Sequence, residues 1–133
     1  MLQQSFSFQD MDNKGLLIHL NITVGTQVFK ASLYNNPTSQ SLLDQLPFTV
    51  EVEDYAGIEK VFYPNPALST EQAPSGAEAS VGDMMYYTPW GDVAIFYKDF
   101  KYASGLIPMG KMEDVRGFVN ALVSSTTVTF EIK

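Results

Sequence analysis

The stretch GDMMYYTPWGDVAIFY, residues 82–97, constrains the fold more than any other part of the chain. Two runs that read as strands flank a turn over residues 88–92, and both are apolar on both faces. Met84 and Tyr86 alternate with Met85 and Tyr87, while Ala94 and Phe96 alternate with Val93, Ile95 and Tyr97. A hairpin on a sheet with one solvated side shows one apolar face and one wet face. This hairpin needs cover on both. One face belongs in a core, and the other must meet either the rest of the chain or a visitor. Met85 and Tyr87, grouped with Ile95 and Tyr97, are the side chains expected on that outer side.

Elsewhere the chain alternates with period two. In LLIHLNITV, Leu16, Ile18, Leu20, Ile22 and Val24 share one face, and Leu17, His19, Asn21 and Thr23 share the other. Gly25 permits a turn, after which Phe29, Ala31 and Leu33 point inward, so the opening is a hairpin. FTVEVEDY sets Phe48, Val50 and Val52 against Thr49, Glu51 and Glu53, and a turn at Ala56 and Gly57 leads into IEKVFY. The closing run sets Val128, Phe130 and Ile132 against Thr127, Thr129 and Glu131.

Two stretches carry helical signals instead. Asn36 can cap and Pro37 can start a helix that Pro47 ends, with Leu42, Leu43 and Leu46 as its buried stripe. Val115, Phe118, Val119 and Leu122 form a second, where Gly117 costs about 1 kcal/mol relative to alanine. SGLIPMGK reads as a short strand that Pro108 places near an edge or bulge. Residues 64–82 hold three prolines and two glycines and read as a long loop.

Seven or so short strands, two short helices and no βαβ alternation predict a mainly β fold. Its natural form is a closed antiparallel barrel with helices plugging the ends, because closure leaves no long unpaired edge. One barrel domain over residues 16–133 follows a polar leader over residues 1–15.

Composition removes several functions. The 133 residues include no cysteine, so disulfides, thiolate metal sites and cysteine nucleophiles are excluded. Eight basic and 15 acidic residues give a net charge of −7, which repels a nucleic-acid backbone. No apolar run approaches the roughly 20 residues needed to cross a bilayer. The opening residues lack a signal-peptide pattern. The default compartment is the cytoplasm, although a chain without thiols also suits an exported mature domain.

Catalytic patterns are sparse. A serine triad or a histidine-rich metal site has only His19 to draw on, and His19 falls on the wetter face of its strand. DMDNKG opens like a calcium loop at Asp10, Asp12 and Gly15, but Lys14 holds the fifth position and Asn21 the closing one, where a glutamate is required. Glu51 and Glu53 read as a solubilising face, and Glu113 and Asp114 as the cap of the second helix. There is no phosphate-binding glycine motif. No metal and no cofactor are expected.

EDYAGIEKVFYP, LSTEQAPSG, GDMMYYTPWGDVAIFYKDF and SGLIPMGKMED together resemble the bacterial and archaeal cyclophilin-like proteins. The resemblance runs from about Leu16 onward and implies a cyclophilin-type barrel closed by two helices. Prolyl isomerases of the cyclophilin family use a strand arginine followed by a Phe-Met-x-Gln-Gly-Gly run. Here the one arginine, Arg116, falls in the second helix, IEKVFYPNP occupies the place of that run, and Leu106 corresponds to the pocket histidine. The resemblance places pocket-facing positions at Tyr87, Ile95, Tyr102 and Leu106, without the electrostatics of an isomerase.

The expected function is therefore non-covalent binding of a peptide or small ligand in an aromatic surface groove. The candidate residues are Met85, Tyr87, Trp90, Ile95, Tyr97, Tyr102 and Leu106. Two rivals stay open: a divergent prolyl isomerase, and an interaction module whose apolar face packs on a partner domain or a second copy.

Overall fold

The alternation becomes register in the computed structural model, which describes residues 17–133. β1 (Leu17–Val24) and β2 (Gln27–Tyr34) form the opening hairpin, with Leu20 opposite Ala31 and Ile22 opposite Phe29. α1 (Pro37–Leu43) starts as its punctuation demands, since the Asn36 side chain accepts a hydrogen bond from the Ser39 N–H. There follow β3 (Phe48–Glu51), β4 (Glu53–Tyr55), β5 (Glu59–Phe62), β6 (Gly76–Ala79), β7 (Asp83–Tyr87) and β8 (Asp92–Phe96). The chain closes with β9 (Phe100–Ser104), β10 (Leu106–Met112), α2 (Val115–Ala121) and β11 (Thr127–Ile132).

Nine strands pair in the order β3-β11-β1-β2-β10-β7-β8-β5-β4, each with its neighbour antiparallel. The two ends of that order, β3 and β4, are consecutive in the chain and separated by Val52 alone. The sheet must therefore curl until its edges meet. Val52 marks the seam: its side chain is buried, and its N–H donates to the Thr126 carbonyl at 2.9 Å. With β3 and β4 counted as one bent strand, the result is a nearly closed eight-stranded barrel. A barrel of about that size has an interior that side chains can fill.

Aromatic and aliphatic side chains do fill it. Phe130 lies 4.9 Å from Phe62 and 5.0 Å from Phe48, among Leu20, Ile22, Leu33, Met109 and Val128. At one end Phe118 of α2 meets Phe29 edge-on at 5.9 Å. The Asp114 side chain caps α2 through the Gly117 N–H. Gly117 was expected only to weaken this helix, but a Cβ there would run into the Asp114 carboxylate and the Phe29 ring. Its smallness lets the cap and the core pack together.

One expectation changes. The long loop over residues 64–82 contains β6, which pairs with the equally unexpected β9 in a separate two-stranded ribbon. Ile132 keeps its place in the alternation, opposite Leu20, but is 60% exposed where β11 runs past its pairing with β3. The leader and the calcium-like Asp10 and Asp12 lie outside the described residues. Pro108 does sit at an irregularity, where the β10–β7 register shifts between Pro108 and Gly110. No helix among the described residues is long and apolar enough to cross a membrane.

Candidate functional site

The turn over residues 88–91 sets the phase of the β7–β8 hairpin. It puts Tyr87 opposite Asp92 and Met85 opposite Ala94. Met84 and Tyr86 thus share the barrel interior with Ile95 and Val93, whereas Met85 and Tyr87 share the outer face with Ala94 and Phe96. Neighbouring strands extend the outer face. Leu106 lies opposite Tyr87, Val61 opposite Ala94, Glu59 opposite Phe96, and Tyr55 opposite Glu59.

This phase corrects the expected grouping of Ile95 and Tyr97 with Met85 and Tyr87. Ile95 is wholly buried in the barrel core and reaches no outer surface. Tyr97 packs against the same core and donates its hydroxyl to Asp54, which also pairs with Lys60 at 3.2 Å. Burial and the Asp54 carboxylate push the Tyr97 phenol up to about 12. Tyr102 is exposed on β9, with its hydroxyl 3.1 Å from Ser75 Oγ.

The chain itself covers part of the outer face. Ala77 and Ala79 of β6, with Phe100 and Ala103 of β9, pack over Val61, Met85, Ala94, Phe96 and Leu106. The Phe96 and Phe100 rings lie 6.1 Å apart and nearly parallel. Met85 is sealed in this second cluster, beneath the surface it was expected to present.

Beyond the ribbon the face stays open as a groove of about 220 Å³. Tyr55, Glu59, Tyr87, Trp90, Phe96, Phe100, Ala103 and Leu106 line it. Trp90, half exposed at the turn, stands edge-on to Tyr55 at 5.1 Å and to Tyr87 at 5.4 Å. The interplanar angles are 78° and 82°, so the three rings form walls rather than a stack. Of the candidates read from sequence, Tyr87, Trp90 and Leu106 meet here. Tyr55 and Glu59 were missed, because they come from an earlier hairpin that only the β4–β5–β8 register brings alongside.

One carboxyl lines the otherwise ring-rich groove, that of Glu59. The Glu59 carboxyl is pushed up to about 7, by burial first and by the Asp92 and Asp54 carboxylates after it. Asp92 is 1% exposed on the same outer face, and burial raises its carboxyl too. Asp92 Oδ1 has no hydrogen-bond partner among the described residues. The ion pairs among those residues, Lys60–Asp54 and Lys111–Asp83, involve neither Glu59 nor Asp92.

Rings, phenols, an indole N–H and a carboxyl are the chemistry that the groove presents. Arg116 is elsewhere, exposed on α2 beside a hollow lined by Val81, Tyr97 and Val119. His19 is on the exterior of the barrel, 3.1 Å from Ser32 Oγ. Among the described residues, no three histidine, aspartate or glutamate side chains gather as a metal site requires.

Comparison with known proteins places these features in context. A family model described as the cyclophilin-like family matches residues 22–132. No curated protein matches the sequence. Among solved structures, the chain is similar to a hypothetical protein from Archaeoglobus fulgidus determined in solution. The identity is 19% and the TM-score 0.64, over 92% of this chain and 100% of that one. At that identity the likeness is one of fold.

Proposed function

The chain belongs to the cyclophilin-like family, and from that premise we propose that it is a non-catalytic binding domain that takes a small ligand into the Tyr55–Tyr87–Trp90 groove. The observation that carries this reading is the unfinished cover of the outer face. The β6–β9 ribbon covers Met85, Ala94 and Phe96, then stops short and leaves Trp90, with Tyr55 and Tyr87 each edge-on to it, beside an open cavity. Aromatic side chains gathered around an apolar concavity are what a small-molecule site is commonly lined with. The cavity is smaller than the roughly 300–1,000 Å³ of sites for drug-sized ligands, so it suits a compact head group more than a folded peptide side.

An isomerase reading would need a cation aimed at the twisting amide. The one arginine, Arg116, stands on α2 by a different hollow and is not among the residues that line the groove. A coupled proline-isomerisation assay is expected to give the rate of buffer alone.

Trp90 is the single tryptophan of the chain, so its fluorescence reports on the groove without labelling. A small-molecule panel screened by Trp90 emission and by amide shifts of Tyr87 and Leu106 should yield saturable binders. Trp90→Ala should weaken them about tenfold in the shift assay, the loss of one ring wall. A panel without a single saturable response at this face would sink the binding reading.

A further inference from the structure

Resting on that binding reading, we infer that the guest carries an organic cation, an alkylated ammonium head group held between Tyr55, Tyr87 and Trp90 and beside the Glu59 carboxylate. Ring faces attract cations through their quadrupole, and tryptophan does so most strongly. Here the tryptophan has a tyrosine at close to a right angle on each of two contacts, and all three rings line the one groove.

The second observation is independent of the rings. A purely apolar guest accounts for the rings but leaves two carboxyls unexplained. Glu59 lines the cavity, and Asp92 lies on the same face of the adjacent strand, buried, with Oδ1 unpartnered among the described residues. No cation of the chain pairs with either among those residues. An unpartnered buried carboxylate oxygen is costly, and a positive guest nearby relieves that cost. The cation also counters what pushes the Glu59 carboxyl up to about 7, burial first and then the Asp92 and Asp54 carboxylates.

The same features exclude neighbouring chemistries. An anion meets carboxylates and a chain of net charge −7. A hard metal ion wants several oxygen ligands, whereas rings supply most of this lining. A bare ammonium keeps its water shell more tightly than an alkylated one, and an apolar groove offers little in exchange.

Choline and its neutral isostere 3,3-dimethylbutan-1-ol separate charge from shape. Both are titrated into the full chain at matched ionic strength, with sodium chloride as the control, and followed by Trp90 emission and by amide shifts at Tyr87 and Leu106. Choline is expected to bind at least about tenfold more tightly than the alcohol, and Glu59→Gln should erase most of that preference. Equal binding of the two probes would overturn the cation inference and leave the groove reading standing. So would silence from both beside a saturable response to a neutral aromatic compound. Silence from every compound would overturn both. Glu59→Gln is expected to fold, because Glu59 is only partly buried at the groove wall.

Discussion

Glu59 shows how one side chain can link the groove to the stability of the barrel. Its carboxyl moves from about 4.5 up to about 7 on folding. Between those values the folded chain holds a proton that the unfolded chain has released, so stability falls as pH rises through the window. Asp92 is shifted in the same direction and adds to the fall, while Asp54, held low first by the Tyr97 hydroxyl, acts oppositely at more acidic pH. Allowing for solvent screening in a half-open groove, the Glu59 contribution is on the order of 2 kcal/mol. Urea melts should therefore show the protein less stable at pH 8 than at pH 5. Glu59→Gln should flatten that difference and be the more stable form at pH 8. A variant that retained the whole pH dependence would identify another group as its source.

At this scale the sequence was legible in kind and misleading in phase. The double apolar pattern of residues 82–97 correctly signals that both faces need cover. It cannot say which residues of β7 stand with which of β8, because that depends on where the turn pairs the strands. With Tyr87 opposite Asp92, odd-numbered residues of β7 face outward with even-numbered residues of β8. That parity removes Ile95 and Tyr97 from the outer side and puts Phe96 there.

Among the elements, the helices were the most readable and the β6–β9 ribbon the least. Both helix caps follow from short polar side chains placed just before the apolar spacing begins, at Asn36 and Asp114. β6 is Gly76-Ala77-Glu78-Ala79, three small residues and one exposed glutamate, and the small ones allow close approach. A Cβ on Gly76 would collide with the Ala103 carbonyl and the Tyr102 ring, so the ribbon depends on that glycine. Such a strand carries no hydrophobic period to detect. Phe100 is the ribbon's main anchor, stacked on Phe96. Phe100→Ala should cost about 2 kcal/mol, less than the roughly 3–5 kcal/mol of a fully buried ring because Phe100 is only partly buried, and should widen the groove. Denaturant midpoints would measure the first effect, and faster quenching of Trp90 by acrylamide the second.

For the molecule as a whole, the closed barrel could be anticipated because alternating strands without βαβ units have few other ways to hide their edges. The seam could not, since nothing in FTVEVEDY marks Val52 as the point where one edge of the sheet becomes the other. Strand order makes the fold a single cooperative unit. β11, late in the chain order, sits between β3 and β1, so the barrel is incomplete until that strand is in place. The groove shares β5, β7 and β8 with that barrel. Far-UV circular dichroism and Trp90 emission should accordingly report one coincident urea transition. A Trp90 change completed well before the dichroism change would mean that the outer cover melts on its own.

Val52 separates a strand that helps shut the barrel from one that delivers Tyr55 to the groove. A guest lodged against Tyr55 therefore grips the free margin of the curled sheet, a few residues from where it is stitched. Occupancy would work as a clasp, and the tighter the guest is held, the hotter the solution needed to spring the barrel open.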